Sequence, residues 1–236
     1  MKPLLVLAAF PMVLMGWASC SHSGTGHAAL PDPRAVDKSV PEYKNPFHPS
    51  TYAHFVARKD YRKTYDVYKD DTLLNRQPKK SRKIFVCLDE QRGQYLVDGL
   101  VAMDFPLSSG VKAYPTKTGD YAVISKKEDH TSNLYGKMYD AEGKCINYNA
   151  ESTDPVPEGG RFDGSPMPYW QRLTNAGLGL HVGKVRRHPV SHGCVRLPRN
   201  VAEILYRQTS IGTPVTIRKT PLPVPEAQKV PAVQRS

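Results

Sequence analysis

The sequence predicts a mainly β domain, a sandwich or barrel carrying one or two short helices. Three observations carry the prediction. Apolar runs such as Ile84-Phe85-Val86-Cys87-Leu88 are short and rich in β-branched and aromatic residues. Seventeen glycines and 21 prolines among 236 residues punctuate the chain with turns. Asp98-Gly99 stands between two apolar runs, a pair suited to the left-handed backbone of a tight hairpin. With 39% hydrophobic residues the chain can enclose one core, so a single globular domain with extended ends is expected.

The elements follow in order. Lys2, the apolar stretch from Leu4 to Met15 broken only by Pro11, and Ala18-Ser19-Cys20 read as a signal peptide over residues 1–19. The cysteine at the cleavage point suggests a bacterial lipoprotein acylated on Cys20, although Trp17 stands where a small aliphatic residue is usual. The apolar run is shorter than the roughly 20 residues that span a bilayer. Residues 20–82 read as a tether. Pro31, Pro33, Pro41, Pro46 and Pro49 break its first half, and one short helix fits between Ser50 and Leu74, where tyrosines at partial helical spacing would pack on the main domain. The domain proper is expected over 83–218, with strands at 83–88, 94–97, 100–103, 119–125, 177–182, 193–197 and 213–218. Asn200 followed by Glu203, with Val201, Ile204 and Leu205 on one face, marks a capped helix. From 219 to 236 proline, glutamine and charge return, and the tail reads as disordered.

Chemistry concentrates in Ser191-His192-Gly193-Cys194-Val195-Arg196. A thiol is a strong nucleophile but largely protonated at neutral pH, so it needs an imidazole or a positive neighbour. His181, His188 and His192 are the candidates. His192 is too near in sequence to be a comfortable proton acceptor and is better suited to shaping a pocket, while His188, between Arg187 and Pro189, reads as a solvated loop residue. Gly193 lets a backbone approach substrate closely. His181, His192 and Cys194 also offer zinc-ligand types, but no paired-cysteine knuckle accompanies them, and no metal is expected. Cys87 and Cys145 are left as a disulfide or two buried thiols.

The net charge of +11, of which residues 1–19 contribute only Lys2, favours polyanionic surroundings such as wall polymer or lipid headgroups. Nucleic acid is excluded as a partner by the secretion signal and by scattered basic residues that interleave with no base-stacking motif.

Ser191-His192-Gly193-Cys194-Val195-Arg196-Leu197-Pro198 resembles the nucleophile segment of the L,D-transpeptidase catalytic domain of the YkuD type, and Gly179-Leu180-His181-Val182-Gly183 resembles its histidine strand. Pro106 to Gly110, Thr116 to Tyr121, His130 to Gly136 and Met167 to Trp170 are similar to further segments of that family, so the likeness extends over roughly 83–218. The resemblance implies an L,D-transpeptidase-like β fold and acyl transfer on peptidoglycan stem peptides. It implies Cys194 as nucleophile and His181 as general base, with Ser191, His192 and Gly193 around the oxyanion and pocket. Arg196, Tyr135 and Trp170 would bind substrate. No cofactor is implied. The expected partners are stem peptides and, through Cys20, a membrane; the expected place is the bacterial envelope, facing the periplasm, as a monomer. The acceptor stays open: a second stem would give a 3→3 crosslink, water L,D-carboxypeptidase trimming, and a lipoprotein lysine protein anchoring. Readings of other classes are a non-catalytic wall-binding lipoprotein and a papain-like peptidase, which the order histidine before cysteine disfavours.

Overall fold

A computed structural model of the chain describes residues 29–77 and 81–232. The signal-peptide segment 1–19 and the lipidation candidate Cys20 lie outside the described residues.

Two short helices, α1 (Tyr52–Ala57) and α2 (Asp71–Leu74), flank the two-residue strand β1 (Tyr68–Lys69). Each helix is capped as its sequence allows: Thr51 accepts from the His54 amide and Asp70 from the Leu73 amide. Next come β2 (Arg82–Cys87), β3 (Arg92–Val97), β4 (Leu100–Pro106), β5 (Gly119–Ala122) and β6 (Ser125–Lys127). They are followed by β7 (Thr131–Tyr139), β8 (Cys145–Glu151), β9 (Arg161–Pro166), β10 (Trp170–Arg172) and β11 (Gly179–Val182). The chain continues through β12 (Val195–Leu197), α3 (Arg199–Gln208) and β13 (Pro214–Arg218). The fold is mainly β, as the sequence predicts. The Asp98-Gly99 turn joins β3 to β4 with both residues at positive φ, +50° and +79°.

The strands form three sheets, ordered β1-β4-β3-β2-β13-β5, β12-β11-β10-β6 and β8-β7-β9. The main core lies on one face of the six-stranded sheet. Ile84, Val86, Tyr95, Val97, Met103, Phe105, Val215 and Ile217 meet Val201, Ala202 and Leu205 of α3 and Leu180, Val195 and Leu197 of the four-stranded sheet. A bulge in β4 divides the faces: the register slips between Tyr95 paired with Met103 and Leu96 paired with Val101. Ala102 is therefore the extra residue, and Val101 and Asp104 turn to the opposite face from Met103 and Phe105.

Over the described residues 29–77 and 219–232, that opposite face corrects the sequence reading of 20–82 as a tether and of 219–236 as a disordered tail. Phe47, Tyr52, Ala53, Phe55, Val56, Ala57 and Tyr61 form a second apolar cluster with Val101 and with Val224 from the tail. Gln228 pairs its side-chain amide with both the N–H and the carbonyl of Val101, each at 2.9 Å, and Phe47 bridges to Pro231. The short helix expected between Ser50 and Leu74 is present as α1, whereas the chain before it and the tail pack as irregular backbone burying isolated side chains such as Phe47 and Val224, which leaves no apolar periodicity to read there. The reading of α3 is corrected in detail: the helix starts at Arg199 with Pro198 at its cap, and Asn200 lies in the first turn. Cys87 and Cys145 are free thiols. Cys87 is buried, donates to the Lys219 carbonyl at 3.1 Å, and is pushed by burial up to about 11.

Candidate active site

The parallel pair β11–β12 builds the site. Leu180 lies opposite Val195 and His181 opposite Arg196, so Leu180, Val195 and Leu197 face the core. By period-two alternation His181, Cys194 and Arg196 leave the other face together. All three line one cavity of about 430 Å³. The β7–β9 sheet contributes Tyr135, Tyr148 and Ser165 to its walls, and β10 contributes Trp170 and Arg172.

The turn carrying Cys194 is held from beneath. Gly193 takes φ +113°, a left-handed conformation that glycine adopts without strain. The Ser191 hydroxyl donates to the Cys194 carbonyl at 2.5 Å and accepts from the Gly193 amide at 3.2 Å. Thr116 donates to the Gly193 carbonyl at 2.6 Å and accepts from the Gly110 amide at 2.8 Å. A Cβ on Gly110 would stand 2.8 Å from the Gly193 α-carbon, so this close approach requires glycine at 110. The Cys194 thiol donates to the Gly177 carbonyl at 3.3 Å. The Gly193 amide, expected among the pocket donors, is engaged by the Ser191 hydroxyl.

His181 is 6% exposed, and its Nδ1 lies 2.8 Å from the Val182 carbonyl. A carbonyl only accepts, so Nδ1 carries the proton and Nε2 is left with its lone pair. Burial pushes His181 down to about 4, against the pull of the Val182 hydrogen bond and with the Arg196 charge adding to the fall. Burial also raises the Cys194 thiol, opposed by the Gly179 backbone and by the charges of Arg196 and Arg172. Both groups are consequently neutral at pH 7.

The other predicted residues separate. His192 is exposed and stacks on Tyr135, ring centroids 4.4 Å apart and planes 20° apart, with Tyr114 at 4.9 Å. Trp170 is buried between two imidazoles, His130 at 5.0 Å and His181 at 6.0 Å. The exposed ring of His188 lies outside the cavity lining. Sequence reasoning did not assign Tyr114, Lys117, His130 or Arg172, although Lys117 and His130 fall in segments that resemble the family. Lys117, Arg172 and Arg196 make the cavity cationic, and among the described residues no aspartate or glutamate lines it.

Residues 81–217 match the family model described as the L,D-transpeptidase catalytic domain, YkuD. The chain belongs to this family. It is 31% identical over 121 residues to "Probable L,D-transpeptidase 3" of Mycobacterium tuberculosis, covering 48% of this chain and 38% of that one. The chain thus spans under half the length of the curated relative it matches. Among solved structures, an Enterococcus faecium L,D-transpeptidase is 27% identical and covers 58% of this chain and 49% of its own, with a TM-score of 0.42. L,D-transpeptidase 3 of M. tuberculosis, in complex with a faropenem-derived adduct, is 23% identical over 58% of this chain and 60% of its own, with a TM-score of 0.45.

Proposed function

We propose that this L,D-transpeptidase-family chain is a peptidoglycan acyltransferase that takes a tetrapeptide stem as donor. The single observation that carries the reading is the placement of Cys194 and a tautomerically fixed His181 on one face of one cavity. His181 Nε2 accepts the thiol proton as Sγ attacks the carbonyl of the L-centre of the third stem residue. The tetrahedral oxyanion collapses, the terminal D-alanine amine leaves with the proton from His181, and a thioester remains on Cys194. An amine from a second stem attacks the thioester, its proton passes to His181, and the free thiol returns with a 3→3 crosslink formed. Because both partners rest neutral, the imidazole acts as a general base in the step rather than holding a ready thiolate, a role worth about 10²–10⁴-fold in rate.

The remaining residues take supporting parts. The amides of His192 and Cys194 are the oxyanion donors in this reading, since Ser191 occupies that of Gly193. Arg196 holds a substrate carboxylate, and Tyr135 and Trp170 wall the donor groove. The reading places the chain in the bacterial envelope, anchored through acylated Cys20; labelled palmitate incorporated by the wild type and not by Cys20→Ala checks it.

Incubation with disaccharide-tetrapeptide followed by mass spectrometry tests the reaction. A crosslinked dimer with release of D-alanine is expected. Tripeptide alone makes the protein an L,D-carboxypeptidase, and transfer to an added lipoprotein lysine makes it a protein anchor. Unchanged substrate overturns the reading in favour of a wall-binding module. A carbapenem, whose strained amide acylates a competent thiol, is expected to add one adduct mass to the wild type and none to Cys194→Ala.

A further inference from the structure

The loop between β11 and β12 delivers Cys194, and one of its residues faces away from the cavity. Arg187 has φ +58°, in the left-handed region where a side chain is strained unless its surroundings hold it there. Its guanidinium is held by backbone carbonyls alone. Nη1 donates to Thr64 and, at 3.5 Å, to Tyr61; Nη2 donates to Arg62 at 2.7 Å and to Glu90 at 2.9 Å. Three of these four carbonyls belong to the turn after α1. The same turn is gripped from the sheet side, where buried Arg92 donates to Thr64 at 3.2 Å and to Asp66 at 2.9 Å. The Thr64 carbonyl is thus shared by two guanidinium groups, one rooted in the sheet and one in the nucleophile loop.

The loop's opposite wall is fixed independently. The Arg186 amide donates to the Ser108 hydroxyl at 2.8 Å, and the amides of Val190 and Ser191 donate to the Ser109 carbonyl at 2.9 and 3.0 Å. The Val111 amide returns to the Ser191 carbonyl at 2.9 Å. Ser191 in turn orders the Gly193–Cys194 backbone through its hydroxyl. Without the Arg187 grip, the loop would be pinned along one side only.

We propose that Arg187 is a positioning residue that locks the nucleophile loop to the 61–66 turn, making the amino-terminal segment a working part of the active site. A planar fork of donors suits several converging carbonyls, whereas a lysine ammonium cannot reproduce its geometry. Its kinetic consequence rests on the acyl-transfer reading; its structural consequence does not.

The test uses the mature chain. Carbapenem acylation is followed over a range of concentrations for wild type, Arg187→Asn and Arg187→Lys. Asparagine tolerates positive φ while removing the fork, and lysine keeps the charge. Arg187→Asn is expected to lower the saturating acylation rate by about ten-fold or more, as misplacement of a reacting group does, with the half-saturating concentration unchanged and Arg187→Lys in between. A rate in folded Arg187→Asn within about two-fold of wild type overturns the proposal. Hydrogen exchange of the wild type in rising denaturant gives a second readout that needs no activity. The amides of Val190 and Ser191 are expected to open together with those of Lys63 and Thr64, and separate opening of loop and turn overturns the proposal even if the asparagine variant does not fold. Absence of any wild-type adduct would defeat the acyl-transfer reading and leave the exchange result to decide the lock.

Discussion

The two faces of the six-stranded sheet are both covered and differ in chemistry. One presents Ile84, Val86, Tyr95, Val97, Met103 and Phe105 to α3 and the four-stranded sheet. The other buries Arg92, Gln94 and Asp104 at 1%, 1% and 0% exposure beneath the amino-terminal segment. There Arg92 pairs with Asp104, whose Oδ2 also accepts from the hydroxyls of Tyr52 at 2.7 Å and Tyr61 at 2.9 Å, while Gln94 donates to the Tyr52 hydroxyl at 2.7 Å. The difference teaches that a buried layer can carry a hydrogen-bonded charge pair as well as apolar groups. The apolar face tolerates apolar side chains of similar volume, whereas the polar face needs a cover that brings matching donors.

The largest expected effect breaks the polar face. Asp104→Leu leaves Arg92 buried without its counter-charge and should cost about 3–5 kcal/mol in urea unfolding. Adding Arg92→Met should recover most of that loss, because the pair replaced together leaves no orphan charge. A loss in the double variant as large as in the single would place the stability in the hydrogen bonds rather than in the pairing. A comparable effect sharpens the contrast with a buried polar group that has no charged partner of opposite sign. His181 is held down to about 4 by burial, below its ordinary 6.5, so between those values the unfolded chain binds more protons than the folded one. Stability should therefore fall as pH drops from 6.5 towards 4, by roughly 3 kcal/mol in all, and His181→Gln should flatten that stretch of the curve. Tyr52→Phe removes one donor from a charged acceptor and should cost about 1.5–3 kcal/mol. On the apolar face Ile84→Val should cost only about 0.5–1.5 kcal/mol.

The same contrast explains what was legible in the sequence. The strands of the apolar face were readable because their alternation is local, and the Asp98-Gly99 hairpin because its turn chemistry is. Cys194 and His181 were readable because each sits in a short distinctive segment, and the parallel register then brings both to one face. The β7–β9 sheet was not anticipated as strands. Exposed Ile146 and Tyr148 on β8 give no core-facing alternation, and Met138 and Ala150 are among the few buried residues in this sheet. The amino-terminal cover was mistaken for a tether because its partners, Arg92 and Asp104, lie in polar positions that pattern reading assigns to solvent. Arg187 gave no signal at all: its acceptors are backbone carbonyls, which every residue possesses.

Burial at Cys194 has a further consequence, for chemical durability. Peroxides and other oxidants consume cysteine mainly through its ionised form. Burial disfavours the thiolate of Cys194, so those oxidants meet a sulfur held largely in its less reactive, protonated form.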